Sequence, residues 1–158
     1  MKDQTCSLVF LKKDDQILLA MKKRGFGSDR WNGVGGKIDK GETMEQALVR
    51  ESQEEVGVTP LKWDKIAEHD FVMDVDDEQP WHMYVHAYFC DEWQGEPAES
   101  EEMAPRWFGI SDIPYDNMWQ DDIVWLPQVL AGKKLRCTFE FKKDESMLSA
   151  HLNIVDEL

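Results

Sequence analysis

Residues 36–58 read GKIDKGETMEQALVRESQEEVGV, and this stretch decides the fold. Thr43 to Val56 has helical composition, started by the turn at 39–43 and stopped at Gly57. Within it Glu51, Glu54 and Glu55 stand at i, i+3 and i+4, so three carboxylates project from one face. Like charges at these spacings destabilise a bare helix by about 0.2–0.5 kcal/mol per pair. They also lie in the C-terminal turns, where the helix dipole disfavours anions. Arg50 offsets part of this but cannot neutralise three carboxylates. A hard divalent cation with oxygen ligands would. Two apolar stripes are open: Met44, Ala47 and Leu48, which runs on into the acids, or Leu48, Val49, Ser52 and Val56, which sets them beside the core face. The bland alternative is a solvated acidic face. Broken local rules of this kind are expected at functional sites.

Outward from this helix the chain alternates strands and turns. Residues 5–12 and 16–22 read as strands joined by a turn at 13–15. Six of the ten glycines fall between Gly25 and Gly41, which predicts a long loop shaped by its backbone. Further strands are expected near 61–73, 81–91, 105–110, 135–143 and 147–155, and a second helix from Asp121 to Leu130. The pattern predicts an α/β domain spanning 1–158, with a mixed sheet packed between helices.

The formal net charge is −14, from 32 acidic and 18 basic residues. Such a field repels a nucleic-acid polymer. A free nucleotide is an anion too, so a site for one needs metal and a few well-placed bases. No apolar run approaches membrane-spanning length, and the first residues lack the layout of a signal peptide. Cys6, Cys90 and Cys137 are odd in number and widely spaced, and read as buried thiols in a reducing cytoplasm. His69, His82, His86 and His151 show no chelating arrangement, because i and i+4 on a strand stand too far apart. They are expected to be structural or surface residues.

The segment 36–58 resembles the Nudix box: Gly36, five residues, Glu42, seven residues, Arg50-Glu51, then Glu54-Glu55, Gly57 and an aliphatic residue, Val58. Ser52 departs, since the family usually carries an aliphatic residue there. The resemblance implies the Nudix α/β/α sandwich, with the Nudix helix and a C-terminal helix. It also implies that Glu51, Glu54 and Glu55, with the Gly36 carbonyl, hold one or more Mg²⁺ ions (Mn²⁺ is an alternative). Arg50 then orients the glutamates, and Glu102, in the acidic loop 99–103, is a second candidate for base or ligand. Bound metal polarises phosphoryl oxygens and acidifies a water whose proton a carboxylate takes.

Beyond the box, the chain resembles the oxidised purine nucleoside triphosphate hydrolase branch of the family. The matching stretches are 21–27, 30–33, 35–37, 102–103, 107–108 and 118–122, with Trp125 and Pro127 in register. That resemblance implies hydrolysis of 8-oxo-dGTP and 2-hydroxy-dATP to a monophosphate and pyrophosphate by a monomer acting on a free nucleotide. Asn32 suits a base edge, and Trp119 and Trp125 suit stacking on a purine, commonly worth about 1–3 kcal/mol. Phe71, Met83 and Met103 complete an adaptable wall. Ser7 and Lys22 lie toward the sugar and base, while Gly35, Gly36 and Lys37 approach through the backbone and one ammonium. Asp121 and Asp122 ordinarily would be helix caps, and the two tryptophans core. As a desolvated pair the aspartates instead share a proton, one accepting and one donating to the base. Two alternatives stand beside this reading: a Nudix hydrolase for another modified purine nucleotide, and a binding module without hydrolysis. The intact glutamate set argues against the second. Ser7 and Met73, where the branch carries other residues, bear on the first.

Overall fold

The computed structural model describes residues 2–158. Its frame is a nine-stranded mixed sheet built around β1 (Gln4–Lys13). One edge of β1 runs parallel to β6 (Trp81–Gln94). The other edge is shared, antiparallel to β4 (Val34–Lys37) along Cys6–Val9 and to β2 (Gln16–Lys22) at its far end. Beyond β6 come β5 (Thr59–Met73), then β8 (Lys134–Phe141) parallel to β5, then β9 (Met147–Val155). On the opposite side β2 carries both β3 (Trp31–Asn32) and β7 (Met103–Gly109).

The period-2 alternation of β1 and β2 assigns their side chains to two separate cores. Val9 and Leu11, with Leu18 and Ala20, pack against Leu48 and Val56 of α1 (Met44–Val56). Phe10, Ile17 and Leu19 pack with Trp125, Leu126 and Val129 of α2 (Asp122–Leu130). The helices therefore cover opposite faces, giving the expected three layers.

Helix α1 begins with a capping box. Thr43 Oγ1 accepts from the Gln46 N–H at 3.1 Å, and Gln46 Oε1 accepts from the Thr43 N–H at 2.9 Å. It ends at Gly57, whose φ of +73° is the left-handed cap that favours glycine. Its buried residues are Ala47, Leu48, Ser52, Glu55 and Val56, so the second stripe faces the core and Glu55 lies within it. Ser52 is tolerated there because its hydroxyl donates to the Leu48 carbonyl at 2.8 Å.

The glycine-rich segment differs from expectation, since it contains β3 and β4. Glycine's low strand propensity hid the pairing. At Gly35 the pairing demands glycine, because a Cβ there would lie 1.9 Å from the Ser7 carbonyl oxygen. The three cysteines are free and buried. Among the described residues no helix is long and apolar enough to cross a membrane.

Because Leu48 is fully buried between α1 and β1, Leu48→Ala should destabilise the chain by about 2–5 kcal/mol. Leu61→Ala, at a side chain 52% exposed, should change stability by less than about 0.5 kcal/mol. Urea unfolding of both variants checks the contrast, and equal losses would contradict the packing described.

Candidate active site

The C-terminal half of α1 faces β4, and backbone and carboxylates meet there. Glu55, 3% exposed, accepts the Gly35 N–H at 2.9 Å. A Cβ on Gly36 would lie 2.8 Å from the Glu51 carboxyl carbon, so glycine is what lets that carboxylate close on the strand. Burial pushes the Glu55 carboxyl up to about 8, the Gly35 N–H pulls it back, and the neighbouring Glu51 and Glu102 raise it further.

Arg50 organises the outer side of this cluster. Its Nε and Nη2 donate to the two Glu42 oxygens at 2.7 and 2.9 Å, a bidentate pair. Its Nη1 donates to Glu51 at 2.9 Å and to Glu54 at 3.2 Å, and its Nη2 reaches the Lys37 carbonyl at 3.2 Å. The hydrogen bonds from Arg50 hold Glu42 down at about 2. Glu42 stood in the sequence motif without a role; here it anchors the arginine that spreads Glu51 and Glu54.

The carboxylates do not converge as a finished cage. Among the described residues no three His, Cys, Asp or Glu side chains form a metal-binding group. Glu54 is turned to Arg50 with its side chain 60% exposed, and Glu102 lies on the exposed loop before β7. The chemistry of the Glu51–Glu55 pair nonetheless fits a divalent cation. Two adjoining carboxyls, one buried and short of donors, are all oxygen and repel each other.

On the other side of β4 opens a cavity of about 400 Å³. All the residues expected at the substrate line it, contributed by different elements. Strand β1 gives Ser7, and β2 gives Lys22. From β3 and β4 come Asn32, Gly35, Gly36 and Lys37. Strands β5, β6 and β7 give Phe71, Met83 and Met103, and the approach to α2 gives Trp119, Asp121, Asp122 and Trp125. Asn32 turns its carbonyl oxygen to the Gly33 N–H at 2.8 Å, which leaves its amide N–H groups for another partner. Lys22 and Lys37 form none of the ion pairs found among the described residues, whereas Lys23 is bound to Glu99 and Arg24 to Glu101.

Asp121 and Asp122 are 2% and 3% exposed. Asp121 occupies the N-cap position of α2 but makes no side-chain capping bond, and Asp122 stands in the first turn. Asp121 instead accepts the Trp125 Nε1–H at 2.9 Å, while Asp122 Oδ2 and Ser7 Oγ are buried with no hydrogen-bond partner among the described residues. Burial pushes both carboxyls up, and the charge of Asp121 raises Asp122 further. Two adjacent buried carboxyls disfavour being ionised together. Trp125 departs from its expected use as a platform. It is fully buried and its N–H is committed to Asp121, so it supports the aspartates, while Trp119 is only half-buried.

The cavity has further walls with no site role assigned from the sequence: Cys6, Trp81 and Phe141, and also Phe26 and Arg30, which lie in the matching stretches 21–27 and 30–33. Trp81 was legible by parity, since it shares a face of β6 with Met83. Phe26 and Arg30 come from an irregular loop, where no period points to a face. Met73 also lines the cavity. The histidines are structural or peripheral: His69 is buried against Trp125, and His82 Nδ1 lies 2.7 Å from Asp70.

A family model described as the NUDIX domain matches residues 1–129. The chain belongs to the NUDIX family. It is 43% identical over 152 residues to a Danio rerio protein named oxidized purine nucleoside triphosphate hydrolase, covering 96% of each chain. A Mus musculus protein of the same name is 41% identical over 150 residues, covering 95% of this chain and 94% of that one. In three dimensions it resembles the mMutator MutT protein from Bacillus halodurans with a TM-score of 0.83 and 26% identity. That likeness covers 95% of this chain and 97% of the other. In this NUDIX chain the family helix is α1, and β8 and β9 extend the sheet past the matched segment.

The aspartate pair makes stability depend on pH. Folded, the pair holds protons that an unfolded chain gives up near pH 4. Its contribution is therefore full at acid pH and is lost as pH rises above about 4 toward the raised folded-state values. Asp122→Asn has no such proton to lose. The melting temperature of this variant relative to wild type should climb between about pH 5 and about pH 8; a constant difference would show that the two carboxyls ionise normally.

Proposed function

We propose that this NUDIX hydrolase splits oxidised purine nucleoside triphosphates, such as 8-oxo-dGTP and 2-hydroxy-dATP, to the monophosphate and pyrophosphate. The observation that carries the reading is the buried Asp121–Asp122 pair. It makes no side-chain capping bond from Asp121, leaves one carboxyl oxygen without a partner among the described residues, and forms one wall of a cavity wide enough for a purine. The names of the Danio rerio and Mus musculus relatives support it, at over 40% identity along nearly the whole chain.

In this reading the base enters beside Trp119, with the Asn32 amide on its edge. With one proton between them, the aspartates offer one acceptor and one donor. Exchanging which of them is protonated accommodates both an oxidised guanine and a 2-hydroxyadenine. Ser7 and Lys22 lie toward the sugar, and Lys37 and the β4 backbone lead the phosphates to α1. Glu51, Glu55 and the Gly36 carbonyl, with Glu54 and Glu102, would hold Mg²⁺ or Mn²⁺. Such an ion supplies charge neutralisation at phosphoryl oxygens and acidifies water. Arg50 positions Glu51 and Glu54. One carboxylate of the cluster takes the proton of the attacking water as the P–O bond to pyrophosphate breaks. The chain acts as a monomer on a free nucleotide, and polymer substrates are disfavoured by its net charge of −14.

A second reading, a methylated purine triphosphate, is favoured by Met73, which lines the cavity along with Met83 and whose flexible side chain can adapt to an added methyl group.

Pyrophosphate release with Mg²⁺ across dGTP, 8-oxo-dGTP, 2-hydroxy-dATP, N6-methyl-dATP and ADP-ribose tests both. A kcat/KM on an oxidised purine at least about tenfold above dGTP, or about 1.4 kcal/mol, is expected. A preference for N6-methyl-dATP alone supports the second reading instead. Asp122→Asn should reorder 8-oxo-dGTP and 2-hydroxy-dATP, and unchanged relative rates would sink the shared-proton account.

A further inference from the structure

The half-buried Trp119 is held by a cation, Arg30, that lies in the matching stretch 30–33 but carried no assigned role. The guanidinium carbon of Arg30 lies 4.1 Å from the centroid of the Trp119 ring. At that distance the planar cation lies over the ring face and is attracted by its quadrupole. The same guanidinium donates through Nη2 to Glu145 Oε1 at 3.3 Å. Glu145 sits in the β8–β9 turn with φ of +70°, and that turn is fastened on two sides. The Met147 N–H donates to Gln120 Oε1, next to Trp119, at 2.7 Å, and the Lys143 N–H donates to Asp76 Oδ1 at 2.7 Å.

We propose that Arg30 and Glu145 form a clip that fixes the orientation of Trp119. Arg30 is then a positioning residue for base recognition, and the nucleotide site extends to the β8–β9 turn, beyond the segment that the family model matches. The proposal rests on the reading of Trp119 as the platform for the base. The guanidinium occupies the indole surface it lies over. Phe26 lies 5.4 Å from the same ring at 35° and Phe141 meets it at 88° and 5.5 Å, so a stacked purine is confined to the indole surface these neighbours leave open. The carboxylate at the guanidinium's edge sets its rotation about the stack. Lysine is a poor substitute, because an ammonium is a point charge with no plane to lay on the ring. Neither Arg30 nor Glu145 touches the reacting phosphate in this account, so their loss weakens binding and leaves turnover alone.

The experiment measures KM and kcat for 8-oxo-dGTP in wild type, Arg30→Ala, Arg30→Lys, Glu145→Gln, Trp119→Ala and the Arg30→Ala/Trp119→Ala double variant. Arg30→Ala and Glu145→Gln should raise KM roughly three- to tenfold with kcat retained, and Arg30→Lys should fail to restore KM. On the Trp119→Ala background, removing Arg30 should add less than about twofold, since the ring it positions is gone. Equal factors for Arg30→Ala in both backgrounds, or a fall in kcat with KM unmoved, would overturn the clip while leaving the platform standing. An unchanged KM in Trp119→Ala itself would overturn the platform and the clip together. Glu145 is on a surface turn, so Glu145→Gln still tests the clip if an Arg30 variant folds poorly.

Discussion

Everything at this site depends on a carboxyl placed where a carboxyl is disfavoured. Glu55 occupies the buried face of α1, with one N–H from Gly35 as its hydrogen-bond donor and Glu51 alongside. A buried acid normally signals either a neutral carboxyl or a missing counter-charge. Here the strand opposite carries two glycines, Gly36 so that the Glu51 carboxylate can close on it and Gly35 so that it can pair with β1 at Ser7. Arg50, locked onto Glu42, also pairs with Glu51 and Glu54, while Glu55 takes part in none of the ion pairs among the described residues. The helix, the glycine strand and the arginine are one device, and its unmet demand is for positive charge.

The rest of the architecture connects that demand to a second one. Helix α1 lies on one face of the sheet and α2 on the other, and β1 with β4 separates them. At the start of α2, Asp121 and Asp122 repeat the theme of buried acids, this time with burial raising both carboxyls and the charge of Asp121 raising Asp122 further. One pair of acids is suited to a cation and phosphates, the other to the polar edge of a base. The residues between them, Ser7, Gly35 and Gly36, belong to the strands that both layers share. In a strongly acidic chain, buried acids are thus concentrated at two points, and Lys22 and Lys37 of the same cavity form none of the ion pairs among the described residues.

Much of this was legible in the sequence because the chemistry is local. The spacing of Glu51, Glu54 and Glu55 fixes a helix face, Thr43 and Gly57 fix its ends, and the alternation in β1 and β2 fixes two cores. What escaped was non-local or relational. Strand β4 was hidden because glycine carries no side-chain pattern, and its pairing is set by the close approach of Ser7. The function of Glu42 as the arginine's anchor depends on a turn that folds it back onto α1. Trp125 and Trp119 look alike in sequence, and burial separates a supporting ring from an accessible one. Arg30, Phe26 and Phe141 reach the cavity from a loop and from the far end of the sheet, where sequence distance conceals contact.

The most direct test of the central claim is a thermal titration of wild type and Glu55→Gln with Mg²⁺ and Mn²⁺. Glutamine keeps an oxygen for the Gly35 N–H but removes the charge. The account predicts that either ion raises the melting temperature of wild type in a concentration-dependent way. In Glu55→Gln that shift should be lost or strongly reduced, while the metal-free variant melts higher than metal-free wild type at about pH 8. Equal metal-induced shifts in the two proteins would contradict the claim that the Glu51–Glu55 pair on α1 is where the cation binds.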